Sequence, residues 1–170
     1  GEVYIPLSDR MVKFNRQLQD TSTISYIEPL DAEIAVDVEK IRTLMNAESG
    51  LIVAAGPTGS GKTTTLASII TEINRRDINI ITVEDPVEYR IEGVLQVNVD
   101  EGIGRTFAEV LRRILRHDPD ILMVGEIRDE QTAAMACRTA LTGHLVFASI
   151  HTSSCEETPL RLTDMGVPPY

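Results

Sequence analysis

A glycine-rich stretch at residues 56–63 has the residue types and spacing of a loop that binds phosphate groups. Its sequence, GPTGSGKT, places a lysine and a threonine directly after the last of three glycines. Glycines let the chain curl until several backbone N–H groups point at one anion, and a following helix adds the positive end of its dipole. Lys62 is expected to reach the outer phosphates of a bound nucleotide, and the Thr63 hydroxyl to bind Mg²⁺. The residues expected to surround the phosphates are Gly56, Pro57, Thr58, Gly59, Ser60, Gly61, Lys62, Thr63 and Thr64.

Polar side chains follow three other apolar runs, at the point where each run ends. Glu84 and Asp85 come after the first, Glu126 after the second and His151 after the third. Ligands of open parallel sheets bind beyond the carboxyl ends of the strands. We therefore expect these side chains and the glycine-rich loop to form one site.

The stretch PDILMVGEIRD, residues 119–129, carries an acid where a buried strand is predicted to end. Gly125 stands where strands that serve Mg²⁺ often have aspartate, so the acid is Glu126, one residue later. Its longer side chain suits a water-mediated contact with the metal better than a direct bond. The alternative is that Glu126 caps the helix predicted to follow.

A second acidic segment, residues 81–89, has the sequence ITVEDPVEY. One carboxylate near the terminal phosphate would orient and deprotonate an attacking water. An ordinary acidic turn is the alternative, because Asp-Pro often forms one. The chemistry of the motif does not rank Glu84 above Asp85 or Glu88.

Two histidines, His144 and His151, flank a strand predicted at residues 145–150. A zinc site is not expected, because Cys155 is the sole nearby candidate for a third ligand. We expect each imidazole to form hydrogen bonds near the phosphates or across a subunit interface. A structural role is the alternative for His144.

Apolar runs alternate with helical periods, which predicts an α/β fold with a mainly parallel sheet covered on both faces. The first helix is predicted to carry Ile34, Val38, Ile41 and Met45 and to end at Gly50. Thr106 and Thr158 are expected to cap two later helices. The predicted strands are residues 51–55, 78–83, 121–124 and 145–150, with a hairpin-like piece at 94–99.

Composition limits the classes of function. The chain of 170 residues can form one sizeable core, and its net charge of −10 argues against binding along nucleic-acid backbones. Two cysteines are too few for a disulfide scaffold and favour a reducing, cytosolic location. Residues 1–30 are rich in scattered polar side chains and are interpreted as a linker or the remnant of an upstream domain, and residues 31–170 as the core.

Four motifs in order resemble those of the secretion ATPases that drive type II secretion and type IV pilus assembly. GPTGSGKTTTL is similar to their Walker A loop and NIITVEDPVEY to their aspartate box. LRHDPDILMVGEIRD resembles their atypical Walker B segment, and LTGHLVFASIHT their histidine box. The resemblance covers residues 50–170 and departs from the family after Thr152, where the chain has SSCEETP and Pro159 is expected to shorten the helix that follows.

The resemblance implies a three-layer RecA-like P-loop NTPase core, truncated at its C-terminal side, that hydrolyses ATP with Mg²⁺. It implies that Glu84 is the catalytic glutamate, Glu126 the Walker B acid, and His144 and His151 the histidine-box pair. It further implies a cytoplasmic hexamer docked on inner-membrane secretion or pilus platform proteins, with no direct contact to nucleic acid or to the membrane. Residues 1–30 do not match the family's preceding domain, whose arginines complete the site from a neighbouring subunit, so weak ATP hydrolysis is expected of the isolated chain. The alternative is a DNA-translocating, DNA-uptake or conjugation ATPase of the same fold.

Overall fold

The computed structural model describes residues 2–7, 10–15, 41–100, 102 and 104–168. Its first two strands, β1 (Glu2–Leu7) and β2 (Arg10–Asn15), pair antiparallel. They lie within the segment interpreted as a linker or upstream remnant. The boundary predicted between residues 30 and 31 lies outside the described residues and stays a prediction.

The first predicted helix is described only in its second half. Residues 41–45 are helical and Met45 is buried, whereas Ile34 and Val38 lie outside the described residues. The predicted end at Gly50 is wrong, because Gly50 is the first residue of a strand. Its φ of +141° belongs to the turn that enters that strand, a conformation that glycine adopts without strain.

Within the described residues, five further strands form one parallel sheet. They are β3 (Gly50–Ala55), β4 (Ile80–Glu84), β5 (Leu95–Asn98), β6 (Ile121–Ile127) and β7 (Leu145–Ile150). Their order in the sheet is β3-β7-β6-β4-β5. β4, β6 and β7 lie in the middle, and most of their side chains are buried on both faces. Burial on both faces explains why these segments read as continuous apolar runs instead of alternating ones.

Helices connect the strands, except β4 to β5, and cover both faces of the sheet. Leu66, Ile69 and Ile70 pack on one face, and the opposite face is covered by two other helices through Phe107, Leu111 and alanines such as Ala136. Each large apolar side chain buried in this way stabilises the fold by about 1.5–3 kcal/mol. The helices are α1 (Lys62–Ile73), α2 (Phe107–Ile114), α3 (Glu130–Leu141) and α4 (Thr158–Asp164), and a 3-10 turn, Leu115–His117, follows α2. The predicted three-layer arrangement is confirmed.

The helix caps correct two of the sequence interpretations. Thr106 caps α2 as predicted, since its side chain accepts a hydrogen bond from Glu109 N. Asp129 caps α3 by accepting one from Thr132 N, so Glu126 is not the capping acid. Thr158 is the first residue of α4 and not its cap, because Glu157 occupies the cap position.

The prediction of a hairpin-like piece at residues 94–99 is wrong. β5 runs parallel to β4, with Gln96 opposite Thr82. The connection at residues 85–94 returns the chain to the start of β4 without a helix. A parallel connection usually needs a dozen or more residues, so the short spacing favoured a hairpin. Side chains of β5 hold this connection in place, since Asn98 Oδ1 accepts a hydrogen bond of 2.8 Å from Val87 N.

Candidate functional site

A cleft of about 400 Å³ lies at the carboxyl ends of the parallel strands. The glycine-rich loop follows β3, Glu84 ends β4, Glu126 lies near the end of β6, and His151 follows β7. The structure therefore brings these four features together at one edge of the sheet. The lining residues are Thr58, Gly59, Gly61, Lys62, Thr63, Thr64, Leu66, Glu84, Asp85, Pro86, Glu88, Phe107, Met123, Gly125, Glu126, Arg128, Ser149 and His151.

The glycine-rich loop depends on glycine at two positions in particular. Gly61 has a φ of +87° at the N-cap of α1, in the left-handed region that side chains disfavour. At Gly56, a Cβ would lie 2.7 Å from Ser60 Oγ, so a larger residue would force the Ser60 side chain to move. Ser60 Oγ itself donates a hydrogen bond of 2.8 Å to Pro57 O, which closes the turn.

Lys62 spans the loop and faces the end of β7. Its Nζ donates hydrogen bonds of 2.9 Å to Gly56 O and 2.8 Å to Pro57 O. The same nitrogen lies 3.5 Å from His151 Nδ1. Burial lowers the pKa of the Lys62 ammonium from its ordinary value, while the nearby Glu126 carboxylate opposes that shift. The Lys62 ammonium therefore lies against the glycine-rich loop, where the sequence predicts that phosphate binds.

Glu126 lies at the centre of a chain of polar contacts. Its Oε1 is 2.8 Å from His151 Nε2, and its Oε2 accepts a hydrogen bond of 2.6 Å from Arg128 Nε. Arg128 also reaches Asp85, at 3.4 Å between Nη1 and Oδ2. Arg128 therefore ties the end of β6 to the end of β4. The sequence motifs did not identify Arg128 as a site residue. Its position two residues after Glu126 is the feature of the sequence that could have identified it.

Glu84 differs from the other acids of its segment. It is 5 % exposed, whereas Asp85 and Glu88 are exposed side chains. Its Oε1 accepts hydrogen bonds of 2.5 Å from Thr82 Oγ1 and 3.0 Å from Gln96 Nε2. The Glu84 carboxylate lines the cleft and is held by hydrogen bonds on one side. It is therefore the best oriented of the three acids that the motif left open as candidates for activating water.

The oxygen donors in the cleft fit Mg²⁺ when phosphate is also present. The Thr63 hydroxyl and the Glu126 carboxylate both line the cleft. No group of three or more His, Cys, Asp and Glu side chains in the described part of the chain could hold a metal ion by itself. Mg²⁺ usually keeps several waters and takes one or two protein oxygens plus those of the phosphates, which this set can supply.

His144 lies at the other edge of the sheet. It precedes β7, and its carbonyl oxygen accepts a hydrogen bond of 3.1 Å from Gly50 N, at the start of β3. At about 3.3 Å per residue, the strand separates it from His151 by roughly 23 Å. Within one chain, His144 is therefore not near the expected position of the phosphates, which was one of the two places predicted for its imidazole. A role for His144 at a subunit interface stays a prediction.

Fold and site together define a class of protein. A parallel sheet with a glycine-rich loop between β3 and α1, and acids at the ends of β4 and β6, is the architecture of RecA-like P-loop NTPases. The chain matches the family described as "Type II/IV secretion system protein" over residues 14–170. The chain belongs to that family, as the resemblance implied.

Curated relatives agree with this assignment. The chain is 52 % identical to the type II secretion system protein E of Aeromonas hydrophila over 130 residues, which are 76 % of this chain and 26 % of that protein. It is 48 % identical to the type II secretion system ATPase E of Vibrio cholerae over 132 residues, 78 % of this chain and 26 % of that protein. The chain thus spans about a quarter of the length of these relatives.

Solved structures share the fold. The pilus retraction motor PilT with bound ADP superposes with a TM-score of 0.70 and 45 % identity, over 76 % of this chain and 39 % of that one. The ATPase DotB of Legionella pneumophila gives a TM-score of 0.66 and 34 % identity, over 76 % of this chain and 38 % of that one. Each of the two similarities covers about three quarters of this chain.

Proposed function

We propose that this chain is the nucleotide-binding core of an ATP-hydrolysing motor in a type II secretion or type IV pilus assembly system. The observation that carries the proposal is the convergence of the phosphate loop, Glu84, Glu126 and His151 on one cleft in a member of this family. ATP binding and hydrolysis would be coupled to movement of the subunits. The core corresponds to residues 31–170, and residues 1–30 to a linker or the remnant of an upstream domain.

Each side chain of the cleft has a distinct role in this proposal. The glycine-rich loop at residues 56–64 binds the phosphates through backbone N–H groups, of which Pro57 has none, and through Lys62. Thr63 and Glu126 would hold Mg²⁺, which would neutralise charge on the phosphates. Glu84 accepts a proton from the attacking water. His151, between Lys62 and Glu126, contacts the terminal phosphate.

The wider assembly is proposed on the same basis. The protein works as a homo-oligomer, a hexamer in its full-length form, in the cytoplasm, and reaches the inner membrane through secretion or pilus platform proteins. No helix in the described ranges is both long and apolar enough to span a bilayer. His144, at the far edge of the sheet, belongs to a subunit interface in this proposal. The isolated chain hydrolyses ATP weakly, because arginines from a neighbouring subunit complete the site.

A DNA-translocating motor was the alternative. The named relatives are secretion and pilus proteins, which favours the secretion motor. The acidic balance of the chain, −10, also opposes affinity for phosphate backbones. Direct binding of nucleic acid is therefore not part of the proposal.

Equilibrium binding of radiolabelled ATP tests the proposal. Lys62→Ala is expected to weaken binding at least about tenfold, because a charged hydrogen bond to phosphate is lost. Arg75→Ala is the matched control, since it removes a positive charge that is exposed and pairs with Asp77 at 3.7 Å outside the cleft. Equal binding by the wild type and Lys62→Ala would remove the proposal.

A further inference from the structure

Gln96 lies on β5 beside the buried carboxylate of Glu84. The register puts Gln96 opposite Thr82, two residues before Glu84 on the neighbouring strand. Gln96 Nε2 donates a hydrogen bond of 3.0 Å to Glu84 Oε1, and Thr82 Oγ1 donates one of 2.5 Å to the same oxygen. One oxygen of the carboxylate is therefore held from two adjacent strands.

Three hydrogen bonds determine the orientation of the Gln96 amide. Its Oε1 accepts one of 2.8 Å from Ile91 N, and its Nε2 donates one of 2.8 Å to Tyr89 O in addition to the bond to Glu84. In the reversed orientation the amide oxygen would face two acceptors, and the NH₂ group would face an N–H donor. The amide must therefore present its N–H to Glu84.

This contact has a consequence for proton transfer in the cleft. A general base needs its accepting oxygen within hydrogen-bond reach of the water that it deprotonates. The bonds to Oε1 restrict rotation of the Glu84 carboxylate, which lines the cleft. Its second oxygen is then kept in one orientation.

We propose that Gln96 is a positioning residue for ATP hydrolysis, which holds the Glu84 carboxylate in the orientation that accepts a proton from the attacking water. The inference rests on the proposed function, in which Glu84 is the base. Gln96 is not among the residues that line the cleft, so it acts through Glu84 and does not touch the nucleotide.

Asn98 provides a matched control on the same strand. Its side chain holds the same connection as Gln96, because Asn98 Oδ1 accepts a hydrogen bond from Val87 N. That bond goes to the connection and not to Glu84. Replacing Asn98 therefore loosens residues 85–94 while the contact between Gln96 and Glu84 is kept.

The test measures steady-state ATP hydrolysis, nucleotide affinity and thermal unfolding of the full-length protein. Gln96→Met keeps the length of the side chain without its amide and is expected to lower kcat about 10- to 100-fold, with KM within about twofold. Asn98→Ala is expected to leave kcat within about twofold of the wild type. Gln96→Glu keeps the acceptor for Ile91 N but sets a carboxylate against Glu84, and is expected to lower kcat at least as far. If Gln96→Met does not fold, the Gln96→Glu variant is used in its place.

A double variant separates positioning from a general structural role. If Gln96 acts through Glu84, adding Gln96→Met to Glu84→Gln leaves the residual rate unchanged. The inference is overturned if adding Gln96→Met to Glu84→Gln lowers kcat by the same factor as Gln96→Met lowers it in the wild type. It is also overturned if both Gln96 variants have the kcat of the wild type, or if Asn98→Ala lowers kcat as much as Gln96→Met does. The proposed function fails in a different way, when the wild type does not hydrolyse ATP or Glu84→Gln is fully active, and the inference then falls with it.

Discussion

Gly125 and Glu84 lie so close together that a side chain at position 125 would press on the backbone of Glu84. A Cβ on Gly125 would lie 3.2 Å from Glu84 Cα and 3.1 Å from the carbonyl oxygen of Val83. The close approach lies where the register of β6 with β7 shifts between Val124 and Ile127. Packing of the strand ends thus explains why glycine, and not aspartate, stands at position 125.

Gly125→Ala is expected to destabilise the fold by about 1–3 kcal/mol, since an added methyl group must displace backbone in a packed region. Turnover should fall as well, because the displaced residue is Glu84. Chemical denaturation and ATP hydrolysis measure the two effects. Gly102→Ala is the control, because its new Cβ would meet a carboxylate oxygen of Asp100, which can move. Equal stability of both variants would contradict this explanation.

Arg128→Gln should lower turnover about tenfold, since Glu126 and Asp85 each lose a charged hydrogen-bond donor in the cleft. Arg128 is 54 % exposed, so the free energy of unfolding should change by no more than about 1 kcal/mol. Arg113→Gln is the matched control, because Arg113 pairs with Glu109 on the exposed surface of α2. Similar losses of turnover in the two variants would argue against a specific role for Arg128.

The two histidines should behave differently. His151→Ala is expected to lower turnover at least about tenfold, because His151 contacts both Lys62 and Glu126. His144→Ala should leave nucleotide binding by the isolated chain unchanged, since His144 lies at the opposite edge of the sheet. Weakened nucleotide binding by His144→Ala would show that the assigned positions are wrong. Lower turnover confined to the assembled protein would place His144 at an interface.

The reactivity of Cys137 should depend on pH in a defined direction. Burial against the core raises the pKa of the Cys137 thiol from its ordinary value, so less thiolate is present at any given pH. Its alkylation by iodoacetamide, followed in a Cys155→Ser variant, should rise with pH through a midpoint above that of a cysteine in a short unstructured peptide. Cys155 is exposed and should react first in the wild type. A midpoint for Cys137 at or below that of the peptide would contradict the burial of its thiol.

The sequence predicted those elements whose conformation depends mainly on their own residues. The strand β7 was expected at residues 145–150 and is found there, because a buried run of β-branched and aromatic side chains has few other structures available. The loop at residues 56–63 was equally well specified, since its glycines permit a conformation that other residues disfavour. Because the loop follows a strand and precedes a helix, its position also predicted that the cleft lies at the carboxyl ends of the strands.

Features that depend on pairing between distant segments were missed. The direction of β5 is decided by its register with β4, which no local pattern contains. Gln96 gains its contact with Glu84, and Arg128 its contact with Asp85, only through the pairing of neighbouring strands. His144 was grouped with His151 because both flank one strand, although the two ends of a strand lie at opposite edges of the sheet.

A crystal structure of the protein with Mg²⁺ and a non-hydrolysable ATP analogue tests the central claim most directly. We predict the triphosphate between the loop at residues 56–63 and the ends of β4 and β6, with Lys62 Nζ moved from the carbonyl oxygens of Gly56 and Pro57 to the phosphates. Glu84 should then face the water in line with the terminal phosphate. A triphosphate bound elsewhere, or a Lys62 that stays on the loop carbonyls, would contradict the account.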